Sequence, residues 1–235
     1  STATYVLMEH SLHRLVSDRD RENADASIDP EFDAVEDVTT IIARNKEVEC
    51  ARAIFTTTTF AGGNRTILSS NAWSNDTTTS SPIDDFDLGR ENILQNTGKI
   101  PNGAAMGFAT WQVLKDHGDL LDRIKWSERG IISEDIAAMV FGIDKITVGK
   151  GIRRTTNQGI SGTTGYIFNS NCLLYYNDPN PRVRSQNLGI TFQKAEPNVT
   201  RIHVETKRSD MIEVSHFYDQ KIVLSLSGYL ISATN

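Results

Sequence analysis

Residues 29–55 repeat apolar side chains at the spacing of an α-helix. The repeat begins with Val35, Val38, Ile41 and Ile42, and polar residues separate its members. Asp29 suits the N-cap and the proline after it suits the first helical position, while the stretch holds no glycine and no other proline. At 1.5 Å per residue the helix is expected to be roughly 35–40 Å long. Such a length, with one narrow apolar stripe, predicts a structural beam and not one wall of a compact pocket.

Alternating apolar and polar residues predict extended segments at both ends of the chain. Residues 3–16 are expected to form a strand and residues 17–28 an acidic connector to the long helix. Residues 56–81 and 150–170 are rich in Gly, Ser, Thr and Asn, which predicts loops. Helices are predicted at 82–97, 109–117 and 134–141. Strands are predicted at 103–108, 145–148, 172–176, 190–193, 201–206, 212–218, 222–226 and 229–231. The fold class is therefore expected to be α+β, with an α/β subdomain at 82–149 and a β-rich end.

Charge narrows the choice of partners. The 235 residues suffice for one large domain or two modest ones, and their formal net charge is -6. This balance argues against a protein that grips nucleic acid through a basic face. Residues 18–37 hold nine acidic and two basic side chains. One interpretation is a solvated loop and helix start. The other is a contact with a basic surface of a neighbouring subunit, such as Lys145, Lys150, Arg153 and Arg154.

Cysteine usage and hydropathy bear on the compartment. Cys50 and Cys172 are the two cysteines of the chain, and their positions suggest no disulfide framework. A reducing cytosol fits this usage. The sequence shows no signal peptide and no apolar run of membrane-spanning length, so no membrane partner is predicted.

Two groups of potential ligands for metal ions have simpler structural explanations. Asp84, Asp85 and Asp87 could hold a divalent cation, but they fall in the first turn of a predicted helix, where acids complement the positive helix end. His10 and His13 would lie on opposite faces of a strand, which argues against a zinc site. The sequence therefore predicts no metal site and no cofactor.

One serine stands near a known nucleophile motif. Ser161 lies in Gly159-Ile160-Ser161-Gly162, which lacks the second glycine at the spacing of the nucleophile elbow and follows no apolar strand. No set of residues predicts a catalytic centre, so a structural protein is favoured over an enzyme. The alternative from another class is a cytosolic hydrolase that uses Asp84, Asp87 or Ser161.

Several short motifs follow one another in a fixed order along the chain. Between residues 101 and 149 they are Pro101-Asn102-Gly103, Met106-Gly107, Trp111-x-x-Leu114-x-x-His117, Asp122-Arg123-Ile124-Lys125-Trp126, Ile136-Ala137-Ala138 and Phe141-Gly142-Ile143-Asp144-Lys145-Ile146-x-Val148-Gly149. Ser17-Asp18-Arg19-Asp20-Arg21-Glu22-Asn23-Ala24 precedes them, and Arg208-Ser209-Asp210, Tyr218-Asp219 and Gly228-Tyr229-Leu230 follow. As an ordered set, these motifs resemble the major capsid proteins of tailed bacteriophages, which have the Hong Kong 97-type fold.

The resemblance implies a role for each part of the chain. The long helix would be the spine helix of a peripheral domain formed by residues 29–56 and 189–235, and residues 57–188 would form the axial domain. Residues 1–28 would be the connector and the returning strand of an extended loop that lies over a neighbouring subunit. Residues 207–210 would be a tip near the three-fold axes. The candidate intersubunit contacts are Asp18, Asp20, Glu22, Arg44, Lys145, Arg153, Arg154, Lys207, Arg208 and Asp210.

The resemblance also implies a function and a set of partners. Copies of the chain would self-assemble into pentamers and hexamers of an icosahedral phage head that encloses double-stranded DNA without sequence-specific binding. Scaffolding, portal and decoration proteins are the other expected partners, and the shell would assemble in the host cytoplasm. Family members carry an N-terminal arm and the outgoing strand of the extended loop ahead of the segment that corresponds to residues 3–16. No lysine precedes Lys46, so the loop lysine crosslink of some relatives is not expected. The alternative with the same fold is an encapsulin-type compartment that holds cargo enzymes.

Overall fold

The computed structural model describes residues 4–25, 29–60, 63–68, 72–75, 80–125, 132–156, 159–182 and 185–232. Contacts between residues divide the chain into two compact units. The first unit is Ser1–Cys50 with Thr191–Lys221, and the second is Ala51–Ile190 with Ile222–Asn235. Each unit has its own sheet and its own buried apolar clusters.

The described residues form eleven strands, six α-helices and three short 3-10 turns. The strands are β1 (Met8–Ser17), β2 (Arg65–Ile67), β3 (Gly103–Gly107), β4 (Lys145–Gly149), β5 (Ile152–Arg154), β6 (Thr164–Tyr166), β7 (Asn171–Tyr175), β8 (Gly189–Gln193), β9 (Asn198–Val204), β10 (Ser209–Ile222) and β11 (Gly228–Ser232). The helices are α1 (Asp18–Glu22), α2 (Pro30–Ile54), α3 (Pro82–Thr97), α4 (Phe108–Lys115), α5 (Gly118–Ile124) and α6 (Glu134–Phe141). Short 3-10 turns lie at Trp73–Asn75, Glu205–Lys207 and Ser225–Ser227.

The first unit is built on a four-stranded sheet. Its order is β1-β10-β8, and β9 also pairs with β10. Strands β1 and β10 are antiparallel from Met8 opposite Tyr218 to Ser17 opposite Ser209. Among the described strands β1 pairs with β10 alone, so it forms one edge of the sheet.

Helix α2 confirms the long helix that the apolar repeat predicts. It has 25 residues, or about 37 Å at 1.5 Å per residue. Asp29 begins it, because Oδ1 of Asp29 accepts hydrogen bonds from the backbone N–H of Glu31 at 3.0 Å and of Phe32 at 3.3 Å.

The buried stripe of α2 explains why the helix lies on the sheet of the first unit. Val38 and Ile42, one turn apart, pack against Val214 of β10. One turn nearer the N-terminus, Ala34 packs against Ile212 of the same strand. These side chains are almost fully removed from water. The helix buries a residue every three to four positions and the strand buries every second residue, so the two apolar faces can pack together.

The second unit is built on a five-stranded sheet of order β2-β11-β7-β3-β4. The pairs β2–β11 and β3–β4 are parallel, whereas β7 is antiparallel to both β3 and β11. Helix α3 ends where Gly98 adopts a left-handed conformation, with φ of 69°. Its Phe86 is fully buried and stacks on Phe141 of α6, with ring centroids 3.9 Å apart.

Two glycines of the sequence motifs stand at close approaches of the chain. A Cβ at Gly103 would lie 2.5 Å from the ring of Tyr175, and one at Gly107 would lie 2.1 Å from the backbone oxygen of Asn169. Both glycines belong to β3, whose five residues are all buried. At Gly107 a larger residue would collide with backbone, so glycine is required there, whereas at Gly103 a larger residue would have to displace the end of the Tyr175 side chain.

Some predicted elements differ from the structure. The predicted strand at 222–226 is wrong, because β10 continues unbroken to Ile222 and a 3-10 turn follows at Ser225–Ser227. The connector contains the short helix α1, and the loop-rich stretch 150–170 contains the hairpin β5–β6. Residues 65–67, predicted as loop, form β2. Trp126, residues 1–3 and residues 26–28 lie outside the described part of the chain.

The compact units and the predicted domains divide the C-terminal region differently. Residues 222–235 belong to the second unit, whereas the predicted peripheral domain includes them. The physical reason is β11, whose backbone pairs with β2 and β7 in the second unit's sheet.

Candidate functional site

A buried carboxylate organises the charged side chains at one end of the first unit. Asp210 is the second residue of β10 and is only 3% exposed. Its Oδ2 accepts a hydrogen bond from Nη1 of Arg21 at 2.6 Å and another from Arg201. Nδ1 of His203 lies 2.6 Å from Oδ1, so the Nδ1–H form of the imidazole donates to the carboxylate. Both oxygens of a buried anion are thereby satisfied.

A second carboxylate ties the same arginines to the long helix. Glu31, in the first turn of α2, lies 3.2 Å from Nη1 of Arg21 and 2.9 Å from Nη1 of Arg201. Arg21 also binds Asp18 at 3.0 Å. The Asp210 cluster (Asp18, Arg21, Glu31, Arg201, His203 and Asp210) therefore joins α1, α2, β9 and β10. Such networks are worth more than isolated surface pairs, because each charge has several partners.

The hydrogen bonds of the cluster shift the proton affinities of its members. Those from His203 and Arg201 hold the pKa of Asp210 at about 2, below its usual 3.8. The hydrogen bond to Asp210 in turn raises the pKa of His203 above its usual 6.5. The histidine is thus pushed toward its charged form and the aspartate is kept ionised.

The cluster has the composition of a metal site but not its electrostatics. Ligand atoms of Asp18, His203 and Asp210 all lie within 4.8 Å of one another. The guanidinium groups of Arg21 and Arg201 already occupy the oxygen of Asp210 that points between them. A dication there would face two positive charges, so the arrangement is suited to an internal salt-bridge network.

The cluster also holds a basic tip in place. The tip is Lys207 and Arg208: the 3-10 turn Glu205–Lys207 is capped by Arg208, whose φ is 45°. The hydroxyl of Ser209 donates to the backbone oxygen of Lys207 at 2.8 Å, and the N–H of Asp18 donates to the backbone oxygen of Arg208 at 3.1 Å. The backbone of the tip is anchored, while the side chains of Lys207 and Arg208 are exposed.

The predicted contact residues are distributed over both units. Asp210 and Asp18 meet in the cluster described above, where Asp210 is buried and Asp18 is half-buried. Arg153, on β5, is half-buried. The exposed members are Asp20 and Glu22 on α1, Arg44 on α2, Lys145 on β4, Arg154 on β5, and Lys207 and Arg208 at the tip.

Sequence reasoning missed four members of the cluster. Arg21 lies within the motif of residues 17–24, but no local pattern marks Arg21, Glu31, Arg201 and His203 as members of one site. One signal was available, because Arg201 and His203 alternate along a predicted strand and so share a face. Their partner Asp210 lies across the turn on the next strand.

The residues considered for catalysis do not converge. Asp85 accepts a hydrogen bond from Nε1 of Trp73 at 2.7 Å, and burial raises its pKa. Asp87 pairs with Arg90 of the same helix at 3.2 Å, and Asp84 is exposed to solvent. The three carboxylates thus share no common partner, and all lie in the first turns of α3, where acids complement the positive helix end.

The histidines and the serine have separate surroundings. His10 stacks on Tyr218 with ring centroids 4.0 Å apart, whereas His13 pairs across the sheet with Glu213 and is exposed. Ser161 is exposed in the connection between β5 and β6. Neither arrangement supplies a nucleophile with an adjacent base.

A buried serine–histidine contact in the second unit is structural. Nε2 of His117 lies 3.2 Å from Oγ of Ser80. Nδ1 of His117 accepts a hydrogen bond from the backbone N–H of Asp119 at 3.2 Å and so caps α5. With Nδ1 accepting, the matching tautomer has its proton on Nε2 and donates to Ser80, which is the wrong direction for a general base.

Strand β1 and the residues before it expose an unusual amount of apolar surface. Val6 is 71% exposed and Met8 is 64% exposed. Nine of the ten residues of the strand are exposed or half-buried. A long edge strand with exposed apolar side chains is a site at which another chain can pair or pack.

Comparisons with known proteins place the whole chain beside phage capsid proteins. A relative from Burkholderia phage BcepMu, described as a major capsid protein, is 26% identical over 236 residues that cover 98% of this chain and 74% of the relative. The crystal structure of a phage-related protein from Bordetella bronchiseptica matches with a TM-score of 0.82 at 24% identity, over 98% of this chain and 77% of that one. The capsid structure of cyanophage P-SCSP1u matches with a TM-score of 0.61 at 12% identity, over 97% of this chain and 72% of that one. No family model matches the sequence.

These matches confirm the predicted fold class. The structural similarity extends over 98% of this chain for the phage-related protein and over 97% for the cyanophage capsid. None of the helices in the described ranges combines the length and apolar character needed to cross a membrane.

Proposed function

We infer that this chain, a structural major capsid protein of a tailed phage with the Hong Kong 97-type fold, self-assembles into pentamers and hexamers of an icosahedral head. Its similarity to a phage major capsid protein over 98% of its length supports a structural role and not an enzymatic one. The head would enclose double-stranded DNA and would assemble in the host cytoplasm.

The exposed edge strand β1 is the observation that carries this proposal. Met8, Leu12 and Leu15 leave apolar surface open to water in the isolated chain, and the outer backbone edge of β1 has no partner strand among the described residues. Such an edge promotes uncontrolled association unless a neighbour covers it. We propose that the segment 3–16 is the returning strand of the extended loop and lies over the next subunit.

The charge distribution supports a container that does not condense its contents. A formal net charge of -6 opposes adhesion to a polyanion. Packaged DNA would therefore contact the wall weakly and without sequence preference. The remaining assignments are also proposals: a spine helix with a peripheral domain, an axial domain, and scaffolding, portal and decoration proteins as partners.

Electron microscopy of the purified chain tests the proposal. Closed polyhedral shells, or rings of five and six copies, are the expected result. A compact monomer at all concentrations would overturn it. Particles that hold a folded cargo protein in place of DNA would favour the encapsulin-type compartment instead.

Charge reversal tests whether the exposed acids of the connector take part in assembly. Asp20 and Glu22 are suitable because both are exposed on α1, whereas Asp18 is bound to Arg21 within the chain. The variant Asp20→Lys/Glu22→Lys should lower the yield of shells while leaving the circular dichroism spectrum unchanged. A wild-type yield of shells would contradict the role of these acids.

A further inference from the structure

An acidic groove opens in the first unit between the end of β1, the short helix α1 and the first turns of α2. Its volume is about 370 Å³, within the size range of ligand-binding pockets. Its charged lining consists of Asp20, Asp33, Glu36, Asp37 and Arg14. The floor is apolar, where Val16 and Ala34 meet.

Three of the four carboxylates in the groove remain available for a partner. Arg14 forms an ion pair with Asp37 and neutralises it. Asp20, Asp33 and Glu36 are exposed, and no ion pair joins them to any other side chain of the described residues. Like charges around one concave surface raise its negative potential, which favours a cationic occupant.

The exposed basic tip of the same unit carries charge of the sign opposite to that of the groove. Lys207 and Arg208 are adjacent in the chain, exposed, and free of ion pairs with other described residues. Their backbone is held by Ser209 and by the N–H of Asp18. A pre-organised turn loses little conformational entropy when it docks.

Other basic side chains fit the groove less well because the chain already uses them. Arg154 donates to the backbone oxygen of Ile160 at 2.7 Å. Lys150 lies 3.8 Å from Glu134. Arg153 is half-buried with its Nε removed from solvent. The tip therefore remains the best-suited pair of adjacent cations in the described part of the chain.

We propose that the acidic groove receives the Lys207–Arg208 tip of a second copy of the chain. The inference rests on the proposed function and adds a specific contact to it. Groove and tip are different surfaces, so the contact is head-to-tail: each copy gives its tip to one neighbour and takes the tip of another. Such a contact closes into a ring when the rotation between copies allows it.

The test uses two full-length variants with opposite changes. The groove variant, Asp33→Lys/Glu36→Lys, has a basic groove and keeps its basic tip. The tip variant, Lys207→Glu/Arg208→Glu, has an acidic tip and keeps its acidic groove. Each variant alone repels its own copies and should yield about tenfold fewer shells than wild type, with a loss that shrinks at high salt.

Mixing the two variants separates this contact from general effects of charge. In an equimolar mixture, each contact between the two variants pairs a groove with a tip of the opposite sign, whereas a ring with an odd number of copies keeps at least one contact of like sign. Shell yield should therefore rise at least about threefold above that of either variant alone, measured by sedimentation and electron microscopy. Lys99→Glu reverses an exposed charge in the second unit and serves as the control. Mixing it with the groove variant or the tip variant should not raise the yield of shells.

Each other outcome has a definite meaning. Wild-type yields from either variant alone, or a mixture no better than its components, would overturn the inference while leaving the proposed function intact. If circular dichroism shows that a charge-reversed variant does not fold, the neutral variants Asp33→Asn/Glu36→Gln and Lys207→Gln/Arg208→Gln replace it. Neutral variants that assemble as well as wild type would overturn the contact. A wild-type chain that forms neither shells nor rings would overturn the proposed function together with this contact.

Discussion

A proline at Arg44 is expected to separate shell assembly from the folding of the second unit. Arg44 is exposed near the middle of α2, so its side chain can change at little cost in packing. Proline removes the backbone N–H that donates to the carbonyl of Thr40 one turn earlier, and its ring clashes with that carbonyl. The helix should kink just after Val38 and Ile42, which anchor its first half to Val214.

The size of the effect follows from the helix geometry. An interior proline costs about 3 kcal/mol or more, a large share of the roughly 5–15 kcal/mol that stabilises a typical domain. Beyond the kink the helix carries Lys46, whose Nζ lies 5.2 Å from the ring centroid of Tyr218, and that contact should be lost. Arg44→Ala keeps the helix and should change stability by less than about 0.5 kcal/mol.

The distribution of tryptophan makes the assay specific. All three tryptophans of the sequence, Trp73, Trp111 and Trp126, fall between residues 51 and 190, and the two described ones, Trp73 and Trp111, are buried in the core of the second unit. Urea unfolding followed by tryptophan fluorescence therefore reports on that unit, and electron microscopy reports on assembly. The second unit has its own buried core, around Phe86 and Leu174, which the substitution does not touch.

The expected result is a loss of shells with a nearly unchanged fluorescence transition. Arg44→Ala should assemble as wild type does. Normal shells from Arg44→Pro would refute the role of α2 as a rigid beam. If the urea midpoint of the fluorescence transition falls together with the yield of shells, the independence of the second unit's core is refuted.

Three further predictions concern stability. The pKa of Asp210 is about 2 in the folded chain against 3.8 ordinarily, so its ionised form stabilises the fold above about pH 4 and this contribution is lost as the pH falls toward 2. Asp210→Asn should therefore weaken the fall of the urea midpoint at acid pH. An unchanged fall would contradict the stabilising role of the cluster. Phe86→Ala, which removes a fully buried ring stacked on Phe141, should lower the free energy of unfolding by about 3–5 kcal/mol in fluorescence-detected urea titrations, whereas the exposed Leu88→Ala should stay within about 0.5 kcal/mol. Asp29→Ala should lower the stability of α2 by about 1 kcal/mol in thermal melts followed at the helix band, and Asp29→Asn should retain most of it; equal losses from both would argue against the cap.

Several elements could be predicted because their signals are local. Helix α3 begins at Pro82 and ends before Gly98, as predicted, since a proline suits the first turn and a glycine accepts the left-handed cap. Helix α6 likewise has Ser133 as its cap and Gly142 as its stop. In each case the residues that decide the boundary lie within four positions of it.

The long strand β10 could not be predicted as one element. Its sequence suggests a break, because charged and polar residues interrupt the pattern at both ends, near Asp210 and Asp219. In the structure β1 pairs with residues Ser209–Tyr218 of β10, and β8 and β9 are also hydrogen-bonded to β10. These cross-strand partners sustain a regular strand that local propensity does not indicate.

The sequence by itself determined the long helix, the motif order and the prediction of a capsid fold, because periodicity, caps and motifs are properties of neighbouring residues. Only the tertiary structure decided that Asp210 is buried among Arg21, Arg201 and His203, when Arg21 and Asp210 stand 189 positions apart. It likewise showed the acidic groove, which needs β1, α1 and α2 to meet. The physical reason is that charge and burial depend on which distant segments pack together, and no local pattern carries that information.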